Sequence, residues 1–161
     1  MDLDSLFDNF ESVAFRLETL PFFASDTRKP GFQTYLDTGK LPADHNAPWR
    51  QEVRDGTLRG RSYHRLRLFS SPLTDYERYE RDVYALSIEA GEVIRAVFRS
   101  EHEVGADFWL FDNSWIAYME YDSEGEFLGT QVHEVSDSEK GMTSKWIRIF
   151  EQEAKDPQTF S

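Results

Sequence analysis

Tyr63-His64-Arg65-Leu66-Arg67-Leu68-Phe69, answered further on by Val93-Ile94-Arg95-Ala96-Val97-Phe98-Arg99, is the part of this chain that decides its fold. In the first segment Leu66 and Leu68 alternate with Arg65 and Arg67, the period of two that marks a strand. Between the segments Leu73, Tyr76, Tyr79, Val83 and Leu86 recur at helical spacing. Ser71-Pro72 supplies a cap and a first-turn proline, and Glu77 pairs with Arg81 one turn on, on the outer face. Strand, helix and strand joined this closely make a βαβ unit, which predicts two parallel strands.

Working outward toward the C-terminus, Asp107–Phe111, Trp115–Tyr121 and Phe127–His133 are separated by turns at Asp112-Asn113 and Asp122–Gly125, the grammar of an antiparallel meander. Ser136 or Ser138 then caps a closing helix with Met142, Trp146, Ile149 and Phe150 on one face, and Pro157 ends it. Toward the N-terminus, Leu3, Leu6, Phe7, Phe10, Val13, Ala14 and Leu17 share a helical face, so an amphipathic helix is predicted up to Pro21. Ser25–Pro48 is turn-rich with a short helix carrying Phe32, Tyr35 and Leu36, and another short helix starts at Pro48 with Trp49 and Val53. The expectation is an α+β single domain over 1–161. Residues 1–60 form a helical N-terminal part. Residues 61–135 form a mixed five-stranded sheet of one βαβ unit and a meander, and 136–161 a C-terminal helix and tail.

Composition sets outer limits. The 161 residues are 39% hydrophobic with 13 Phe, 7 Tyr and 4 Trp, which excludes a disordered or fibrous chain. Eighteen basic against 30 acidic residues give a net charge of −12, which excludes a generally basic nucleic-acid coat. With no cysteine there is no disulfide framework, thiolate metal site or Cys nucleophile. The acidic start Met1-Asp2-Leu3-Asp4 is unlike a signal peptide, and no apolar run reaches the ~18 residues of a membrane span. A soluble, cytoplasmic protein is expected.

Chemistry-bearing motifs are scarce. No G-x-G-x-x-G, P-loop or G-x-S-x-G occurs, so no cofactor or catalytic residue is assigned. His45, His64, His102 and His133 fall in no metal-binding spacing, and Glu120, Asp122, Glu124 and Glu126 lack the order of a calcium loop and read as a hairpin tip. One asymmetry stands out. Arg50 to Arg67 holds six arginines against Glu52 and Asp55, a local +4 that leaves −16 for the rest. Arg65 and Arg67 share a strand face, and parallel pairing would set Arg95 and Arg99 beside them as an anion grip. The other reading is that these arginines answer Glu80, Glu92, Asp107 and Asp112 within the fold, and the abundance of nearby acid favours it.

Ala14-Phe-Arg-Leu-Glu18, Pro48-Trp49, Ser71-Pro-Leu-Thr-Asp-Tyr76 with Tyr79-Glu80, Ala90-Gly-Glu-Val-Ile-Arg95 and Asp107-Phe-Trp-Leu-Phe-Asp112, in this order, resemble an actinobacterial family of domains of unknown function. The resemblance implies a cytosolic protein often encoded beside helix-turn-helix regulators, and it carries over no catalytic residue. Positions matching its pattern that can form a polar site are Arg16, Glu18, Arg67, Tyr76, Glu80, Glu92, Arg95, Asp107 and Asp112. The order of elements is also similar to half of a phospholipase-D-like domain. The H-x-K-x-x-x-x-D motif of that superfamily would need His and Lys where Gly105 and Asp107 stand, so a relation of that kind would be non-catalytic.

The leading expectation is a non-enzymatic regulatory or interaction module that binds a protein partner, such as a helix-turn-helix regulator, through an acidic, aromatic-rich surface. Neither direct nucleic-acid binding nor a membrane is expected. The alternative is a phosphate- or nucleotide-binding domain or enzyme that uses the arginine cluster.

Overall fold

A computed structural model describes residues 1–161 as an α+β domain around one mixed sheet. In chain order the elements are α1 (Leu3–Asn9), β1 (Val13–Glu18), α2 (Ala24–Thr27), α3 (Pro30–Thr38), α4 (Ala47–Leu58), β2 (Ser62–Phe69) and α5 (Asp75–Ala90). They continue with β3 (Val93–Phe98), β4 (Asp107–Phe111), β5 (Trp115–Tyr121), β6 (Phe127–Glu134) and α6 (Asp137–Gln152). The strand order is β3-β2-β1-β4-β5-β6. β2 and β3 are parallel, as the βαβ reading requires, and β4, β5 and β6 form the meander.

The sheet has six strands, not the five expected, and the sixth comes from the segment read as the tail of the first helix. The helix stops at Asn9, and Val13–Glu18 runs as β1 in the middle of the sheet, parallel to β2 and antiparallel to β4. Apolar residues at 10, 13, 14 and 17 satisfy a helical period, but Ala14, Phe15, Arg16, Leu17 and Glu18 are all buried. A surface helix would leave half of them in water, whereas a central strand covers both faces. Asp112 fixes the start of the strand. In left-handed backbone at φ 54, its carboxylate accepts the N–H groups of Glu11, Ser12 and Val13 at 2.7, 2.8 and 2.9 Å. Burial works to raise its pKa, and those three N–H groups outweigh it and hold the group below its ordinary value.

The helix caps follow local chemistry. Thr74, not Ser71, caps α5, and its hydroxyl accepts from the backbone of Glu77 while the Glu77 carboxylate accepts from the backbone of Thr74. Ser136 and Glu139 repeat this reciprocal box at α6.

The two faces of the sheet differ in kind. On one, Phe15, Leu17, Leu66, Leu68, Phe108 and Leu110 pack against Trp146, Ile149 and Phe150 of α6 in an apolar core. On the other, α1 and α4 bring Phe7, Phe10 and Trp49 edge-to-face onto Tyr63, Trp109 and Phe111. α5 covers the remainder of that face, over Arg65, Arg67 and Phe69.

The Tyr63 hydroxyl has no hydrogen-bond partner although the residue is fully buried, and a β-carbon at Gly56 in α4 would overlap it. Removing an unpaired buried hydroxyl relieves a desolvation cost. Tyr63→Phe is therefore expected to raise stability by up to about 1 kcal/mol, and Gly56→Ala to lower it by about 1–3 kcal/mol through overpacking, both measured by urea unfolding.

Candidate functional site

β1, β2 and β3 end at the same side of the sheet, and antiparallel β4 begins there, so Glu18 and Asp107 are neighbours across the β1–β4 pair. The alternation that buries Leu17, Leu66 and Leu68 against α6 turns Arg16, Glu18, Arg65, Arg67 and Asp107 toward α5. α5 answers with Glu77, Glu80 and Tyr84, spaced three and four residues apart on its inner stripe.

Arg67 has no solvent exposure. Its Nε and Nη2 donate to Glu80 Oε1 at 3.0 and 2.6 Å, and its Nη1 donates to the carbonyls of Glu18 and Leu68 at 3.4 and 3.2 Å. Arg65 donates from Nε to Glu92 Oε2 at 2.7 Å and lies 3.0 Å from Glu18 Oε1. Its guanidinium stacks near the Trp49 and Trp109 rings. Trp49 Nε1 donates to the second Glu92 oxygen at 2.8 Å, so both oxygens of that carboxylate are engaged.

At the carboxyl ends of the strands, Arg99 donates to the carbonyls of Thr19 and Leu68 and to the Ser70 hydroxyl, and lies 3.7 Å from Glu77 Oε2. Arg16 Nη2 donates to Tyr121 Oη at 3.2 Å and lies 3.6 Å from Asp107 Oδ2. The other Asp107 oxygen accepts from the backbone and hydroxyl of Thr19, while Oδ2 has no hydrogen-bond donor. Burial, partly offset by Arg16, pushes the Asp107 carboxyl above its ordinary value.

Four guanidiniums thus face five carboxyls, and the imbalance falls on Glu80. Tyr84 Oη donates its single proton to Glu18 Oε1 at 2.7 Å, so toward Glu80 Oε2, 3.2 Å away, it can only accept. Glu80 completes that contact by holding a proton. Burial pushes its carboxyl up to about 8, with Arg67 opposing. Burial acts on Glu18 as well, but Arg65, Arg16 and Arg67 outweigh it and hold that carboxyl down at about 2.

The residues singled out by sequence divide accordingly. Arg65, Arg67, Glu80 and Glu92 meet in this layer, with Arg99 and Asp107 at its open end. Arg95 does not join them. The register sets it opposite Leu66, on the α6 face, where it donates to the Phe150 carbonyl at 3.0 Å. The four arginines therefore do not converge, and the forks of Arg65 and Arg67 are occupied by glutamates. Tyr76 stands apart, donating to Asp26 at 3.0 Å, and Asp112 holds the start of β1. Glu77, expected outside with Arg81, is fully buried, and Arg81 reaches the Phe160 carbonyl instead. Glu77, Tyr84 and Thr19 are the members that sequence reasoning missed. The signal for the first two was Glu77, Glu80, Tyr84 and Ser87, a polar line at core-facing helical spacing.

Two hollows adjoin the layer. One, of about 70 Å³, is lined by Glu18, Asp26, Trp49, Arg65, Glu80 and Tyr84 among others. The second, an open cleft of about 500 Å³ between the end of β1 and the β5–β6 pair, has Thr19, Leu20, Asp107, Met119, Tyr121 and Leu128 in its lining. No group of three or more His, Asp or Glu is arranged to hold a metal ion, and no helix is long and apolar enough to cross a membrane.

Charge is segregated along the sheet. From Ser100 to Glu139 the chain has eleven acidic residues and no Lys or Arg. Of these only Asp107 is buried, so the β4–β6 half presents a strongly acidic surface, with Phe127 and Leu128 exposed within it and Arg28, from the α2–α3 connection, paired to Glu126.

The chain belongs to the family described as a domain of unknown function, DUF6879, whose model matches residues 1–160. No curated protein matches it significantly.

The two central glutamates give opposite pH dependences. Glu80, with a folded value near 8 against an ordinary 4.5, contributes stability that is fully present below pH 4.5 and lost as pH rises to 8. Glu18, at about 2, contributes stability present above pH 4.5 and lost as pH falls. In Glu80→Gln the amide can donate to Tyr84 without needing a proton. That variant should fold at neutral pH and flatten the decline in unfolding midpoint between pH 5 and 8. Glu18→Gln leaves Arg65 short of a charge and is expected to cost about 3–5 kcal/mol.

Proposed function

We propose that this protein is a non-enzymatic interaction module whose β4–β6 half binds a basic surface of another protein. One observation carries the reading: forty consecutive residues, Ser100–Glu139, hold eleven acidic residues, ten of them outside the core, and no Lys or Arg. The internal pairing of the arginines supports it from the other side. Two arginines and five carboxylates are buried, which leaves 16 basic and 25 acidic residues for the rest of the molecule. An anion-binding role for Arg65 and Arg67 has little left to work with, because displacing Glu80 or Glu92 would strand a buried charge.

A basic, polyanion-binding face is the complement of such a surface, and a DNA-binding regulator is the partner class that offers one. The acid would then steer encounter and compete with DNA for the same face. Association should weaken steeply with salt.

The test is capture from host extract by the immobilised protein, followed by titration of the purified partner. Glu103, Glu124 and Glu134 are exposed and make no ion pair within the fold. The triple variant Glu103→Lys, Glu124→Lys, Glu134→Lys should keep the wild-type melting temperature and bind that partner about tenfold or more weakly. A basic DNA-binding protein retained by the wild type and lost by the triple variant is the expected result. Failure to bind any basic protein at micromolar concentration would overturn the proposal.

A further inference from the structure

The two edges of the sheet are treated differently. At the β3 edge the segment after α6 returns and pairs: Ala96 N–H donates to the Lys155 carbonyl at 2.8 Å and Lys155 N–H to the Ala96 carbonyl at 2.9 Å. Phe160 completes the cover by packing on Phe69 and Phe98. β6, at the other edge, is paired on one side only.

The hydrogen-bonding groups on its free side can be identified. Val135 N–H donates to the Ser114 carbonyl at 2.8 Å, which makes 114 and 135 a bonded pair. Antiparallel alternation then turns His133, Gln131 and Gly129 inward to β5, and Thr130, Val132 and Glu134 outward. The register shift at Glu120/Tyr121 leaves Leu128 bulged out, so the regular edge runs from Gly129 to Glu134. An exposed edge of this length is ordinarily blunted by lysine, proline or an inward charge, and β6 contains neither lysine nor proline.

We infer that the β6 edge accepts an extended, basic segment of a partner protein as a seventh strand. The inference rests on the acidic-surface reading and adds to it the mode of binding. Charge selects the occupant. Glu120, Asp122, Glu124 and Glu134 flank the edge, exposed, acidic and outside the ion pairs of the fold, and Ser100–Glu139 contains no Lys or Arg. A second copy of β6 would bring the same acid against itself on two chains of net charge −12. A strand carrying Lys or Arg meets opposite charge at both ends of the edge. Main-chain hydrogen bonds to Thr130, Val132 and Glu134 give the affinity, and alternate side chains the selectivity. At the Leu128 end the edge opens on the cleft of about 500 Å³ lined by Leu20, Met119, Glu120 and Leu128, where a basic side chain with an aliphatic stem would find both an apolar wall and the exposed Glu120 carboxylate.

The test is titration of the full chain with a nine-residue capped peptide of alternating Lys and Val. Three control peptides accompany it, one with Glu replacing Lys, one N-methylated at the amides of one edge and one N-methylated at the amides of the other. Two protein variants are compared with the wild type: Thr130→Pro, which removes one outward N–H and is tolerated on an edge strand, and Thr130→Ser. The Lys peptide should bind wild type and Thr130→Ser alike. Binding should fall about tenfold or more with Thr130→Pro and with N-methylation of one edge, and vanish with the Glu peptide. Should Thr130→Pro fail to fold, the methylated peptides decide alone. Equal binding of all methylated forms would overturn strand addition while leaving the acidic-surface reading intact. Equal binding of Glu and Lys peptides would overturn both. A dimer in sedimentation that Thr130→Pro abolishes, with no peptide binding, would make the edge a self-interface and overturn the inference.

Discussion

A guanidinium shut away from water has to find all its partners inside the protein, and Arg67 finds them on three elements at once. Glu80 of α5 takes two of its donors, while the carbonyls at the ends of β1 and β2 take the third. Because a buried charge left without a partner costs several kcal/mol, α5 has to lie where Glu77 and Glu80 reach the strands, with little freedom to slide or rotate. The layer sets a position more than it adds stability, since an apolar layer of equal volume would hold the helix as firmly without the desolvation cost. Trp49 binding Glu92, and Tyr84 bridging Glu18 and Glu80, extend the same requirement to α4 and β1.

That constraint divides the molecule. The α6 face of the sheet is apolar and the α5 face is ionic, so Arg16, Arg65, Arg67 and Arg99 are consumed in holding it together. Glu101, Glu103, Glu120, Asp122, Glu124 and Glu134 form no ion pair within the fold. The acidic surface of the β4–β6 half and the open β6 edge fall at the same end of the sheet, while the returning chain covers the β3 edge at the other. Electrostatic steering and strand addition are thereby available to one partner together.

The βαβ unit, the meander and α6 were legible because each has its own period and its own punctuation, and two-residue alternation of Leu and Arg is hard to read any other way. β1 was not legible, since a strand buried on both faces has no alternation to show and its apolar positions extend the stripe of α1. Asp112, about a hundred residues away, is what holds the start of the strand. The pairing of Arg65 and Arg67 with Glu92 and Glu80 was open to anticipation from charge balance. The separation of Arg95 from them was not, because it depends on a register in which Leu66, not Arg67, faces Arg95. A shift of one residue would have reversed it.

Sequence by itself determined the element types over most of the chain, the internal use of its arginines as one of two readings, and the excess of acid. These depend on local periodicity and on counts, which need no partner in space. Tertiary structure decided which strands are neighbours, which face each charge occupies, that burial raises the Glu80 carboxyl while arginines lower that of Glu18, and which edge of the sheet is left free. Each of these depends on long-range register and burial, and a carboxyl acquires its proton or a strand its exposed side only once every other element has taken its place.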